Sequence, residues 1–236
     1  MSISFHRFRS FGRGPVSTRR HLRGGFTLIE LIVVISIMLV ITSFFLLRQQ
    51  QFNSSTVLRS LAYSVALSVR QSQVYGTSVR EFGGGFTAKS YGINFNTGNL
   101  AETPVRYILF ADFNNNGVYN SGGSPGEFVQ DFKLGSGYTI VKFCGVGNLA
   151  GTIQSCSSGG VGGGTSISAL NTYFIRPNLD ANFRSCSDAA CTTPTAETYI
   201  GAYMQIRAPG GATRNIIIGT TGRIAVCGLN TVYPAC

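Results

Sequence analysis

Charged residues are scarce in this sequence. Asp, Glu, Lys and Arg make up only 12% of its 236 residues, about half the share of an average soluble domain. Residues 1–25 contain no acidic residue but hold six arginines, so removing them lowers the net charge from +10 to +4. A balance this mild in the rest of the chain indicates no particular partner.

Histidine is scarce as well, and two common catalytic motifs are absent. The only histidines, His6 and His21, lie in the basic N-terminal segment. The chain contains no P-loop or H-E-x-x-H motif. A Ser/Lys or carboxylate-pair site stays open, but we predict that the chain is not an enzyme and needs no cofactor.

Cysteine is absent from the first 143 residues and then occurs six times. An even number in one part of the chain favours disulfides and an oxidising compartment. There is no C-x-x-C pair and no histidine nearby, so the spacing is not that of a zinc site and no metal is expected. Of the possible pairings we predict the sequence neighbours: Cys144–Cys156, Cys186–Cys191 and Cys227–Cys236.

A long apolar run is present. Residues 26–47 form 22 residues with one charge, Glu30. As a helix this run is roughly 33 Å long, enough for a bilayer core of about 30 Å. The arginines on its N-terminal side predict a cytoplasmic N-terminus, which places the cysteines outside. The length of the apolar run and the position of the arginines both indicate a single-pass membrane protein.

A cleaved secretory signal is the alternative. Its apolar region is shorter, about 7–15 residues, and ends in a small-residue cleavage site. Here the run ends in Leu46-Leu47-Arg48-Gln49, whereas the small residues, Gly24-Gly25, precede it. The apolar run is therefore expected to stay in the mature protein.

The helix is predicted to continue beyond the membrane. Residues 48–75 contain no Pro or Gly, and Gly76 is the first breaker. The apolar residues recur three and four apart, which gives one apolar face: Leu58, Leu61, Ala62, Val65, Ala66 and Val69. This half of the helix is amphipathic and needs a domain packed against it.

The C-terminal part predicts a β-rich head. Segments rich in Val, Ile, Tyr, Phe and Thr alternate with Gly, Asn, Ser and Pro clusters, which favours hairpins and an antiparallel sheet. The candidate strands are 91–95, 105–110, 127–134, 138–143, 166–175, 198–207, 213–219 and 222–227. The predicted fold class is α+β, with a leader at 1–25, a membrane segment at 26–47, an amphipathic helix at 48–80 and a disulfide-bonded head at 81–236.

The junction Arg23-Gly24-Gly25-Phe26-Thr27-Leu28-Ile29-Glu30 carries the most specific signal. Together with the apolar helix, it resembles the processing site of type IV pilins and type II secretion pseudopilins. The resemblance implies cleavage after Gly25 by a membrane prepilin peptidase and N-methylation of Phe26. It also implies an inner-membrane location, other pilin subunits as partners and a periplasmic or cell-surface filament.

Glu30 needs a separate explanation, because a carboxylate in hydrocarbon costs a few kcal/mol and usually has a partner. In the resembled family the partner is the amino terminus of a neighbouring subunit. We hypothesise that Glu30 sets register during filament assembly. The alternative is a Glu that snorkels to the interface near a helix end.

Two weaker stretches resemble the GspH/FimT group of minor pilins: residues 108–120 with Gly126-Glu127, and residues 216–226. Some members bind DNA near the second stretch. The resemblance therefore implies an alternative function, DNA binding through Arg207, Arg214 and Arg223. The other interpretation is that these arginines lie on a solvated face of the hairpin and bind nothing. The cleavage motif at residues 23–30 does not distinguish a pilus from a secretion pseudopilus or a competence system.

Asp112, Asn114, Asn116 and Gly117 are typical of the start of a Ca²⁺ loop. The closing Glu is missing, since the twelfth position is Gly123, and Glu127 serves only in a longer loop. A weak Ca²⁺ site is one interpretation. The other is an Asn/Gly turn whose side chains bond their own backbone.

Overall fold

A computed structural model describes residues 25–78, 81–82, 86–102, 105–122, 126–135, 137–229 and 236. The leader up to residue 24 and Gly123, the twelfth position of the candidate Ca²⁺ loop, lie outside these residues. The chain divides into two compact units between Leu46 and Leu47. One helix, α1 (Leu28–Thr77), contributes to both.

The first unit contains the apolar part of α1. Residues Leu28–Leu46 have a mean hydropathy of 2.7 and none is buried against protein, so this segment has the length and composition of a membrane span. The hydroxyls of Ser36, Thr42 and Ser43 donate to carbonyls one turn earlier at 2.7–2.8 Å. These bonds satisfy polar groups within the helix, as hydrocarbon requires.

The second unit is built on the remainder of α1. Leu58, Ala62, Val65 and Val69 are 0–2% exposed and form the face that contacts the head. Their spacing confirms the predicted amphipathic packing. Gly76 lies inside the helix, one residue before its end, where a Cβ would come within 2.5 Å of the Phe174 carbonyl oxygen. Glycine therefore permits close contact between helix and sheet at this point.

The head contains one short helix and twelve strands among the described residues. These are β1 (Glu81–Phe82), β2 (Phe86–Thr87), β3 (Ser90–Asn96), α2 (Thr97–Leu100), β4 (Arg106–Asp112), β5 (Phe128–Lys133), β6 (Thr139–Val146), β7 (Gln154–Cys156), β8 (Ala169–Ile175), β9 (Ala181–Cys186), β10 (Gly201–Arg207), β11 (Thr213–Gly219) and β12 (Ile224–Leu229).

The strands form two antiparallel five-stranded sheets and one short hairpin. The first sheet has the order β5-β4-β3-β8-β9, and the second has the order β12-β11-β10-β6-β7; β1 pairs with β2. Each predicted strand corresponds to one of these. The α+β class, with the helix packed against an antiparallel head, is confirmed.

One apolar core joins α1 to both sheets. Phe95 from the first sheet stacks on Tyr107 with a centroid distance of 5.3 Å, and its ring lies 6.4 Å from Phe143 of the second sheet. Each fully buried side chain of this size contributes about 1.5–3 kcal/mol. The amphipathic helix and the sheets are therefore held together mainly by this shared core.

Three disulfides cross-link the head. Cys144–Cys156 joins directly paired residues of β6 and β7, with Cα atoms 4.1 Å apart. Cys186–Cys191 closes the loop after β9, and Cys227–Cys236 ties β12 to the last residue. Each of these disulfides joins two cysteines that are consecutive in the sequence.

Candidate functional site

The junction before α1 is open. Gly25, Phe26 and Thr27 precede the helix, and Phe26 is 85% exposed. A Cβ built on Gly25 would meet no atom of the described residues within 4 Å. The Gly25–Phe26 bond therefore lies in non-helical, accessible backbone, which is what a peptidase needs in order to bind and cut it.

Thr27 caps the helix. Its Oγ1 accepts a hydrogen bond from the backbone N–H of Glu30 at 3.2 Å. This is the Ser/Thr-x-x-Glu pattern of a helix start. The cap explains why α1 begins directly after the predicted cut and does not extend back across it.

Glu30 lies in the first turn of α1. Negative charge is favoured there by the helix dipole. Its side chain is exposed, and its carboxylate has no ion pair within the part of the chain that the structure describes. Glu30 is thus available for an external cation.

The 112–118 loop bonds its own backbone. Buried Asp112 accepts hydrogen bonds from the N–H groups of Asn116 at 3.1 Å and Gly117 at 3.0 Å, and from the Ser90 hydroxyl at 2.8 Å. The Asn116 side chain accepts from the Val118 N–H at 2.9 Å. Gly117 has a φ of +74°, and a Cβ there would enter the Tyr173 ring. This is the geometry of a side-chain-stabilised turn.

Glu127 provides a second buried carboxylate next to this loop. It is 2% exposed and accepts a hydrogen bond from the Asn120 N–H at 2.7 Å. Burial raises the pKa of Glu127, and the neighbouring Asp112 charge raises it further. Among the described residues no group of three His, Cys, Asp or Glu side chains is placed to hold a metal. The weak Ca²⁺ site stays a prediction.

The three hairpin arginines do not form one patch. Arg207 is exposed at the end of β10, and the half-buried Arg214 on β11 donates to the Cys227 carbonyl at 2.8 Å. Exposed Arg223 follows the turn at the opposite end of β11, since Ile218 pairs with Ile224. Arg214 and Arg223 are therefore separated by roughly 17 Å along the strand.

The comparisons with known proteins agree with the geometry of the junction. Residues 20–46 match the prokaryotic N-terminal methylation motif. No curated protein and no solved structure matches the chain. The chain thus has a type IV pilin-like N-terminus, in which the motif implies processing by a prepilin peptidase, membrane anchoring and assembly with other pilin subunits.

Proposed function

We propose that this chain is a minor pilin or pseudopilin of a type IV pilus or type II secretion filament. Its leader is cut after Gly25, and the new terminus, Phe26, is methylated. One observation carries the proposal: the methylation motif at residues 20–46 coincides with an open Gly25–Phe26 bond and with an apolar helix segment, Leu28–Leu46, that is long enough to cross a membrane.

The remaining segments have consistent roles in this proposal. After removal of the leader at 1–25, residues 26–47 anchor the protein in the inner membrane, and residues 48–80 support the head at 81–236. Three disulfides in the head favour an oxidising compartment outside the cytoplasm. That side is also the one predicted by the arginines of the leader.

Glu30 is the assembly residue in this proposal. After cleavage Phe26 carries the free amine, four residues before Glu30. Neighbouring helices staggered along the filament bring one chain's amine to the next chain's carboxylate. Pairing offsets the cost of an ionised side chain in hydrocarbon, which is about 2.5–3.5 kcal/mol at the centre of a membrane helix and lower in the first turn, where Glu30 lies.

Mass spectrometry of the membrane-extracted protein tests the processing step. In cells with an active peptidase, the product should begin at Phe26 and carry one added methyl group. Gly25→Leu should retain the leader, because a side chain then occupies the cleavage position. Gly135→Leu is the matched control, at an exposed glycine whose Cβ meets nothing. A product that begins past Leu47, or that keeps Met1, contradicts the proposal.

DNA binding for natural transformation is the alternative function. Arg207 and Arg223 are exposed, but the spread of the hairpin arginines offers no compact basic surface. A gel shift with the full chain at increasing salt separates the two functions. Phosphate contacts weaken steeply with salt, and loss of a shift in Arg207→Gln/Arg223→Gln would favour DNA binding. Absence of any salt-sensitive shift would exclude it.

A further inference from the structure

The part of α1 that follows the membrane segment carries arginines at a regular interval. Arg48, Arg59 and Arg70 follow one another every eleven residues, which is close to three helical turns, or a rise of roughly 16 Å. Positions with this spacing lie on one side of a helix. The sequence contains no acidic residue between Glu30 and Glu81, so α1 supplies no acid that compensates these charges.

Arg59 and Arg70 are exposed and lack an acidic partner. The Arg59 guanidinium lies 5.8 Å from the centroid of the Tyr63 ring, and Arg70 donates a hydrogen bond to the Gln73 side chain. Neither arginine forms an ion pair with any residue that the structure describes. Both positive charges are therefore available to an acid from another molecule.

Large apolar side chains lie on the same side of α1. Tyr63, Leu67, Arg70 and Val74 have the spacing i, i+4, i+7 and i+11, which is that of one helix face. Tyr63, Leu67 and Val74 are 47%, 68% and 54% exposed. The opposite face of this half of α1 is the one that packs into the core of the head. Exposed apolar residues that share a face with charged ones are typical of an interaction surface.

The turn before β12 borders this face and makes it concave. The two elements form a groove of about 350 Å³, which we call the arginine groove; its lining residues are Tyr63, Ala66, Leu67, Arg70, Gly222, Arg223 and Ile224. Arg223 is exposed and donates to the Cys236 carbonyl at 3.3 Å. The groove thus combines apolar side chains with two arginines, Arg70 and Arg223.

We propose that the arginine groove, together with Arg59, binds an α-helix of a different pilin subunit that carries acidic residues on its facing side. The inference rests on the proposed function and adds the chemistry of the neighbour. Tyr and Arg are enriched at protein–protein interfaces, and opposite charges fix register and exclude wrong partners. A second copy's α1 would place arginine against arginine, because no acid occurs between Glu30 and Glu81.

The head of a second copy offers few acids as well. Two of its described acids are buried, two form ion pairs and two accept hydrogen bonds from nearby hydroxyl groups: in that order, Asp112 and Glu127, Glu102 and Asp131, and Asp188 and Glu197. Among the acidic side chains that the structure describes in the head, only Asp180 is exposed without such a contact. A different subunit is therefore the better source of matching charge.

Other anionic surfaces match the arginine groove less well. Arg59 lies thirteen residues beyond Leu46, the end of the membrane segment, which is roughly 20 Å farther along α1. The field of an anionic bilayer fades within a Debye length of about 8 Å. Nucleic acid would set solvated phosphates against the exposed side chains of Leu67 and Val74, which such contacts leave unburied. A protein helix satisfies both the charged and the apolar groups.

Photo-cross-linking in sheared filaments identifies the neighbour. The full chain, expressed in cells that assemble the filament, carries a benzophenone amino acid in place of Leu67. We expect an adduct with a different subunit, in which peptide mass spectrometry places the cross-link within one helical turn of an Asp or Glu. The same amino acid in place of Leu149, which is 90% exposed between β6 and β7, is the control and should not give this adduct.

Charge variants test the role of the arginines. Arg59→Gln/Arg70→Gln should lower the yield of the adduct at least about tenfold, without a change in Tm because both side chains are exposed. Arg184→Gln, at an exposed arginine of β9 without an ion pair among the described residues, is the matched control and should keep the full yield. Arg70→Glu should abolish the adduct, and a lysine in place of the partner's cross-linked acid should restore it.

Several results would overturn this inference. They are an adduct only between copies of this chain, as through Asp180, an adduct removed by nuclease or with the mass of a lipid, no adduct, or an unchanged yield in Arg59→Gln/Arg70→Gln. A chain that begins at Phe26, enters filaments and gives any of these results refutes the inference alone. A chain that keeps Met1 refutes the filament proposal as well, so the two failures are distinguishable.

Discussion

Glu30 is the residue on which assembly depends in the proposed filament. Glu30→Gln keeps the side chain's size but removes the charge that attracts a neighbour's amine. Losing about 1.4 kcal/mol per contact corresponds to tenfold in an equilibrium constant, so incorporation should fall at least about tenfold. The measurement is the fraction of subunits in sheared filaments. Asp131→Asn, a head residue paired with Lys133 at 3.6 Å, is the control. Equal incorporation of both variants would disprove the role of Glu30.

Gly76 is expected to be intolerant of any side chain. Alanine would normally favour a helix by up to about 1 kcal/mol. Here its Cβ would meet the backbone oxygen of Phe174 at 2.5 Å, and backbone cannot move aside cheaply. We expect Gly76→Ala to destabilise the head by about 1–3 kcal/mol in denaturant unfolding. Gly135→Ala, in open space, should change stability by less than about 0.5 kcal/mol. A more stable Gly76→Ala protein would show that helix and sheet are not in close contact.

Glu127 gives the head a defined pH dependence. Its pKa is raised in the folded protein, so the folded state holds this proton more tightly than the unfolded chain. Its contribution to stability is therefore present below the ordinary pKa of about 4.5 and is lost as pH rises through the folded pKa. Glu127→Gln keeps an acceptor for the Asn120 N–H and should flatten this part of the curve. Thermal melts from pH 4 to 8 measure it, and an unchanged slope would contradict the assignment.

The same melts address the predicted Ca²⁺ site. A cation that binds only the folded state raises Tm with concentration. Since backbone N–H groups occupy the Asp112 oxygens, we expect Ca²⁺ to shift Tm little. A rise that disappears in Asp112→Asn would establish the site.

At the scale of elements, the Cys144–Cys156 disulfide holds the smallest strand of its sheet. β7 has three residues and pairs only with β6 among the named strands. Replacing both cysteines with alanine should cost about 2–5 kcal/mol and loosen the segment after β6. The Cys227–Cys236 pair, with one exposed member, should cost less because it contributes less buried surface. Unfolding midpoints of the two double variants test this order, and the reverse order would contradict it.

The strands show where sequence patterns are sufficient. Strands rich in Ile, Val, Tyr and Phe, such as β4 and β11, are predictable from composition alone. β9, with the sequence Ala-Asn-Phe-Arg-Ser-Cys, carries little β-branched signal and forms because β8 pairs along its whole length. The division into two sheets was also not predicted, because alternation along a strand does not identify its neighbours.

At the scale of the molecule, the leader arginines and the cysteines are linked through the orientation of the chain in the membrane. Replacing the six arginines with glutamine removes the signal that keeps the N-terminus cytoplasmic. A larger fraction of chains should then leave the head inside, where its cysteines stay reduced. Thiol labelling followed by gel electrophoresis measures that fraction. A fully oxidised head in this variant would show that charge does not set the orientation.

The cleavage junction and a polar cavity in the head differ in how far the sequence could reveal them. The cleavage junction is local, so its residues are contiguous and recognisable. The polar cavity in the head collects side chains from β3, α2, β4, the 119–121 segment and β5, which are distant in sequence and ordinary in composition. Asn96 gave the only local signal, as a typical helix cap before Thr97-Gly98-Asn99. The position of Asn96 next to the other lining residues depends on the fold and cannot be read from the sequence.

The self-bonded hydroxyls of Ser36, Thr42 and Ser43 have a consequence for how the protein leaves and enters a fibre. Since these groups need nothing from outside, lipid tails and neighbouring helices are equivalent surroundings for most of the span. In the proposed filament, only the Glu30 carboxylate distinguishes the two environments. Moving this span from the fibre into the bilayer then breaks few polar contacts, so the span itself resists the release of a subunit only weakly.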